Sequence, residues 1–138
     1  MAMSRVSTAI FGVVLVWSMT VVIGAAAKID GNPAAAKIKN PVPATAASIK
    51  TGEQLFQKNC MFCHGPTGLG DGKLVPKGMQ PANLTDDKWD RGSTDREIHA
   101  VIMGGIPDKK MPGLKGRVTE ADAWHIVNFI RSLGPKAH

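Results

Sequence analysis

Apolar and polar positions divide the chain into unlike stretches. From Val6 to Ala27 no side chain carries a charge, and Ala9–Ile23 is almost continuously apolar, with Arg5 in front and Gly24-Ala25-Ala26-Ala27 behind. A positive start, an apolar run and a small-residue A-x-A site follow the order of an export signal, with cleavage expected after Ala27. The run is also long enough to stay as a membrane anchor, which takes about 20 residues. Under either reading the chain beyond Lys28 lies outside the cytoplasm. Residues 28–47 then hold three Pro, six Ala and almost no bulky apolar side chain, the composition of an extended linker.

From Ser48 the pattern becomes helical. Ile49, Gly52, Leu55, Phe56 and Cys60 recur at helical spacing, and Ser48 is placed to cap a helix running to about Asn59. Gly65–Asp87 is a long loop rich in Gly and Pro, and a loop of that length serves a function or wraps something. Thr94-Asp95-Arg96-Glu97 reads as a capping box opening a short helix through Met103, stopped by Gly104-Gly105. A second loop carries Ile106-Pro107 and Met111-Pro112-Gly113. Thr119-Glu120-Ala121-Asp122 caps a last helix, with Trp124, Val127 and Ile130 along one face, Ile126, Phe129 and Leu133 adjoining, and Gly134-Pro135 ending it. No stretch alternates as a strand would. The expected organisation is a signal or anchor over residues 1–27, a Pro/Ala-rich linker over 28–47, and an all-α domain over 48–138.

Composition adds a constraint. Aromatic residues make up only 5% of the chain and Tyr is absent, so the small domain buries limited surface by itself, and a large apolar cofactor would supply the missing core. Both cysteines fall within one five-residue stretch, which argues against a disulfide framework. The net charge of +6 is dispersed over Lys37, Lys39, Lys50, Lys58, Lys73, Lys77, Lys88, Lys109, Lys110 and Lys115, with no run resembling a nucleic-acid arm. It reads as a solvated basic surface, or as a face that steers the protein to acidic partners.

Cys60-Met61-Phe62-Cys63-His64 is the attachment signature of a c-type haem. Two thioethers must reach vinyl groups on adjacent pyrroles, and the residue after the second Cys then lies under the iron, where an imidazole coordinates it. A zinc site would need four good ligands, which the chain lacks. A thioredoxin-type C-x-x-C needs a βαβ context, which is absent. The residues leave the second axial ligand open. Met79, Met103 and Met111 are the sulfur candidates, and His99, His125 and His138 the nitrogen candidates. Met103 sits in a helical turn beside Val101 and Ile102, where core packing is the expected role. His99 and His125 read as surface or satisfied helix side chains. Met79 lies in a loop, and Met111 lies in a loop followed by Pro112 and Gly113, where its sulfur can point inward.

Taken in order, several pieces resemble the class I cytochrome c family, in its small bacterial monohaem form. They are Gly52-x-x-x-Phe56, the haem signature, Gly68-x-Gly70-Asp71-Gly72, Pro81-x-x-Leu84-Thr85-Asp86, Trp89, Glu97-Ile98, Ile102-x-x-Gly105, Met111-Pro112 and Trp124-x-Ile126-Val127-x-Phe129-Ile130-x-x-Leu133. The resemblance covers Ser48 to Leu133. It implies a cytochrome c fold of three to five helices wrapped around one covalent haem c. It implies that Cys60 and Cys63 attach the haem and that His64 and Met111 are the axial ligands of the iron. It also implies that Gly52 and Phe56 cross Ile126 and Phe129, and that a loop carbonyl, Pro81 or else Pro76, accepts from the Nδ1–H of His64. Trp89 is expected at a haem propionate or in the haem wall.

With both axial positions filled the iron has no substrate site, so outer-sphere electron transfer is expected rather than catalysis. The apolar wall is expected from Phe62, Leu69, Leu74, Leu84, Ile98, Ile102, Leu114 and Ile126. The expected function is a periplasmic one-electron carrier moving between exported or membrane-bound redox proteins with acidic docking surfaces. Neither nucleic acid nor a small-molecule substrate is expected. The alternative is a haem c subunit fixed in a larger oxidoreductase, which an exposed apolar docking patch would favour. Membrane association would come through residues 6–27.

Overall fold

The chain is described here by a computed structural model covering residues 38–134. The expected signal or anchor, the first half of the expected linker (residues 28–37), Pro135 and His138 lie outside the described residues. No helix among the described residues is long and apolar enough to cross a membrane.

Helix α1 spans Ala46–Asn59 and helix α4 spans Glu120–Leu133, and these two make the most extensive contact between elements. Their crossing is built on Gly52, which is buried. A Cβ there would run into the backbone carbonyl of His125 and lie 2.9 Å from Phe129 Cβ. One turn on, Phe56 is fully buried with its ring centroid 5.1 Å from that of Phe129, tilted by 55°. Ile126 and Val127 are likewise fully buried. Each such side chain contributes about 1.5–3 kcal/mol by leaving water, and an aromatic pair adds roughly 0.5–1.5 kcal/mol.

The cap of α1 differs from expectation. Thr45, not Ser48, is the N-cap, its Oγ1 accepting the Ser48 N–H at 3.1 Å. Both hydroxyls stand near the start of the same first turn, and tertiary contacts assign their roles. Ser48 is buried, bonds to His125 Nδ1 at 2.8 Å and accepts from Asn128 Nδ2 at 2.8 Å. Asn128 Nδ2 also donates to the Val42 carbonyl at 3.1 Å, and Asn40 Nδ2 donates to Asn128 Oδ1 at 2.8 Å and to the Trp124 carbonyl at 3.2 Å. Asn40 and Val42, within the Pro/Ala-rich stretch, are therefore bonded along α4.

Helix α2 is a single turn, Met61–His64, directly after Cys60, and α3 spans Asp95–Gly104. The expected boxes close both remaining N-termini, Thr94 with Glu97 on α3 and Thr119 with Asp122 on α4. The Thr119 N–H and hydroxyl hold the Asp122 carboxyl below its usual range. Where no strand was expected, Gly105–Ile106 (β1) pairs antiparallel with Met111–Pro112 (β2) around a 3-10 turn at Pro107–Lys109. Two-residue strands are too short to show alternation in a sequence.

Candidate functional site

Cys60, Cys63 and His64 share one side of the turn that α1 hands on to α2, because positions i, i+3 and i+4 fall on one helical face. The turn is held by Cys60 N–H to Phe56 O at 2.8 Å and His64 N–H to Cys60 O at 2.9 Å. The loop that follows folds back on it. Gly70 N–H donates to His64 O at 2.8 Å, Gly72 N–H to Cys63 O at 3.1 Å and Leu74 N–H to Phe62 O at 3.0 Å. These bonds satisfy carbonyls that a four-residue helix leaves open. Gly72 lies so close to the backbone of Phe62 and Cys63 that a Cβ would collide with both.

Cys60, Cys63 and His64 border one cleft together with Met111 and Met79, walled by Leu84, Ile98, Ile102, Leu114 and Ile130 and edged by Trp89, Asp90, Arg91 and Lys109. His64 Nδ1 lies 3.0 Å from the Ala82 carbonyl. A carbonyl only accepts, so Nδ1 carries the proton and the Nε2 lone pair is left for a metal. The partner is Ala82 rather than Pro81. The Pro81 carbonyl is turned to Gly70, 2.6 Å from where a Cβ would stand, and the next carbonyl in the chain reaches His64. Burial lowers the His64 pKa, partly offset by the bond to Ala82. Burial, then Cys63, push the Cys60 thiol up to about 12 against the pull of Arg117, so it is a neutral thiol rather than a redox-active thiolate. Neither cysteine is in a disulfide, and among the described residues no three His, Cys, Asp or Glu side chains gather to hold a metal ion alone. Two reduced cysteines, an imidazole of fixed tautomer, a thioether side chain and an apolar wall on one cleft fit haem c.

Met79 and Met111 both reach the cleft. Met103, His99 and His125 do not border it. Met103 packs against the core, and His125 bonds to Ser48. His99 is buried rather than at the helix surface, its ring stacked on Trp124 with centroids 3.9 Å apart. Its Nε2 faces only acceptors, the Glu120 carbonyl at 3.3 Å and Glu120 Oε2 at 3.2 Å, so Nε2 carries the proton and the buried Nδ1 has no partner. Burial depresses the His99 pKa, with Glu120 acting in the other direction.

Met111 follows Lys110, which holds a left-handed backbone conformation at φ 57°. Two ion pairs tie this hairpin to the 88–92 loop, Lys109 Nζ to Asp90 Oδ2 at 2.9 Å and Arg91 Nη2 to Asp108 Oδ2 at 2.8 Å. The bond and charge of Lys109 hold the Asp90 carboxyl below its usual range. Trp89 borders the cleft with the Arg131 guanidinium 5.8 Å from its ring centroid.

The expected wall needs correction. Phe62, Leu69 and Leu74 are 48%, 51% and 65% exposed and none borders the cleft. With residues 60, 63 and 64 facing inward, Phe62 projects from the opposite side of the turn, and the Leu74 N–H bond to Phe62 O sets Leu74 beside it. Ile126 belongs to the core between α1 and α4.

The family model described as cytochrome C oxidase, cbb3-type, subunit III matches residues 47–130. The chain is 32% identical over 112 residues to a Cbb3-type cytochrome c oxidase subunit CcoP of Rubrivivax gelatinosus, covering 81% of this chain and 33% of the relative. The chain thus spans about a third of the length of the curated relatives it matches. Cytochrome cL of Methylophaga aminisulfidivorans MPT superposes with a TM-score of 0.53 at 30% identity, covering 64% of this chain and 55% of that one. A chain of a reducing HAO-like protein complex of Kuenenia stuttgartiensis superposes with a TM-score of 0.64 at 20% identity, covering 72% of this chain and 49% of that one, a likeness of fold. The chain therefore belongs to the cbb3-type cytochrome c oxidase subunit III family and is a haem c electron-transfer domain of the cytochrome c fold.

Proposed function

We propose that this domain carries electrons as a haem c subunit docked in a membrane-bound oxidoreductase of the cbb3 oxidase type. Bound haem supplies one reversible electron at its iron. Cys60 and Cys63 would hold the haem as thioethers, and His64 Nε2 and the Met111 sulfur would ligate its iron, the His64 ring being oriented by the bond from Nδ1–H to the Ala82 carbonyl. Met79 lies three residues before Ala82, on the segment that serves His64, whereas Met111 comes from the separate hairpin at the end of α3. Leu84, Ile98, Ile102 and Leu114 keep water from the haem, which disfavours the extra charge of the oxidised iron. With two protein ligands no coordination position remains for a substrate. Residues 1–27 act as an export signal or anchor and the stretch from Lys28 to Lys39 as a linker, Asn40 onward being bonded into the domain, which places the domain on the periplasmic side of the cytoplasmic membrane.

The observation that carries the docked reading over the free shuttle is the exposure of three large apolar side chains, Phe62 on the turn and Leu69 and Leu74 in the loop that follows it, with Leu74 N–H bonded back to the Phe62 carbonyl. The names of the relatives support the same reading. Lys73 and Lys77 are exposed in the same loop and suit an acidic rim on the partner. Lys109 contributes less to such a ring than its charge implies, because Asp90 is paired with it.

Two experiments test this. Cys60→Ala with Cys63→Ala should abolish haem that survives denaturation, and covalent haem in that variant would overturn the attachment. Phe62→Asp with Leu74→Asp should release the chain from complexes in detergent-solubilised membranes while leaving its visible spectrum unchanged. A wild-type chain recovered from cells free of any complex would return the function to a mobile shuttle.

A further inference from the structure

The Met111 hairpin has few internal supports: two paired positions, a 3-10 turn and a residue in the left-handed region. Just beyond it Leu114 N–H and Lys115 N–H bond to the Ile102 and Met103 carbonyls of α3 at 2.9 and 3.1 Å, and two ion pairs tie its tip to the 88–92 loop. Asp90 and Arg91 are consecutive, as are Asp108 and Lys109, and they pair in antiparallel order, so each loop presents one acid and one base to the other. The 88–92 side is anchored. Trp89 lies under Arg131, Arg131 Nε bonds to Asp95 Oδ1 at 2.8 Å, and Gly92 lies against the Glu97 carboxylate at the start of α3. The hairpin side ends two residues later in Met111, and Asp90, Arg91, Lys109 and Met111 all border the cleft.

We propose that the double ion pair Asp90–Lys109 and Arg91–Asp108 is a clasp that positions Met111 and sets how readily its sulfur leaves the iron. This rests on Met111 being the second axial ligand. The four charged residues act through the hairpin and touch no reacting atom, so they are positioning residues. Exposed pairs weaken as salt rises, because the Debye length falls from about 10 Å at 0.1 M to about 3 Å at 1 M. The hold on Met111 therefore loosens with ionic strength, a behaviour that an apolar anchorage would not show.

The test uses the haem-loaded ferric protein and neutral imidazole at saturating concentration and mildly alkaline pH, where the limiting binding rate reports departure of the sulfur. Arg91→Asp sets an acid against Asp108 and should raise that rate about tenfold at low salt, as should Asp108→Arg. Asp90→Asn, which only neutralises, should raise it about threefold. The swapped pair, Arg91→Asp with Asp108→Arg, should return the rate to within about twofold of wild type, which loss of structure would not do. The wild-type rate should rise several-fold between low salt and 1 M, and the swapped pair should keep that dependence. Single reversals within about twofold of wild type, or a swap that fails to restore the rate, would overturn the clasp. Met111→Ala separates the two readings. It should lose the far-red sulfur–iron band and bind imidazole fast at every salt concentration. A variant that kept the band would overturn the ligand assignment itself.

Discussion

The α1–α4 crossing and the Met111 hairpin both join segments far apart in the chain, by opposite means. At the crossing Gly52 admits the backbone of α4, the Phe56 and Phe129 rings fill the space below, and Ser48, His125, Asn128 and Asn40 complete a hydrogen-bonded network. At the hairpin two exposed ion pairs and a strained Lys110 take the place of buried apolar contact. Exposed pairs contribute little to stability each, whereas a buried ring contributes several times as much. One region fixes the fold, and the other holds the Met111 loop with exposed charge pairs that salt screens.

The comparison is broken most severely at the crossing. Phe56→Ala removes a fully buried ring and its partner contact, and should cost about 3–5 kcal/mol in denaturant unfolding of the haem-loaded protein. A loss below about 1 kcal/mol would mean that α1 and α4 repack without it. Gly52→Val comes next. The obstructing group is the His125 backbone carbonyl, which cannot swing aside as a side chain would, so the cost should reach the upper end of the usual overpacking range, about 3 kcal/mol. An unchanged melting temperature would show that the helices do not meet at Gly52.

A smaller effect sharpens the contrast through pH. His99 is buried with its pKa depressed, so the unfolded chain takes up that proton more readily than the folded one. Its contribution is complete above about 6.5, the value of an unfolded imidazole, and is lost as pH falls from there through the depressed folded value. Glu120 on α4 favours the charged form and Arg96 on α3 opposes it, so the decline reflects both. His99→Gln should flatten the stability profile between about pH 7 and 5. A profile as steep as wild type would place the acid sensitivity elsewhere.

The smallest effect is expected at the hairpin, with opposite sign. Lys110→Gly removes the left-handed strain of a side-chain-bearing residue and should stabilise the protein by about 0.5–1 kcal/mol. A loss of stability instead would mean that the lysine side chain, rather than its backbone angle, is what the hairpin uses.

Much of the site was legible because its chemistry is local. Cys60, Cys63 and His64 lie within about one turn, so their spacing alone brings all three to one cleft, and Thr94-x-x-Glu97 and Thr119-x-x-Asp122 close their own helix ends. The helical spacing of Phe56 and of Ile126 and Phe129 likewise follows from the residues themselves. What stayed illegible depended on where the chain returns. Ala82 rather than Pro81 meets His64 because the Pro81 carbonyl is turned to Gly70. Ser48 rather than Thr45 goes inward because Asn128 and His125 wait on α4. Phe62, Leu69 and Leu74 stay exposed against their hydrophobicity, Phe62 because the turn points Cys60, Cys63 and His64 at the cleft. By itself the sequence determined the spacing that sets Cys60, Cys63 and His64 on one face and the two helix starts closed by Thr94 and Thr119, since both act over a few bonds. Only the tertiary structure decided which carbonyl, which apolar face and which charge pairs complete the site. Those choices follow from satisfying backbone groups and filling space between segments tens of residues apart, which no local pattern records.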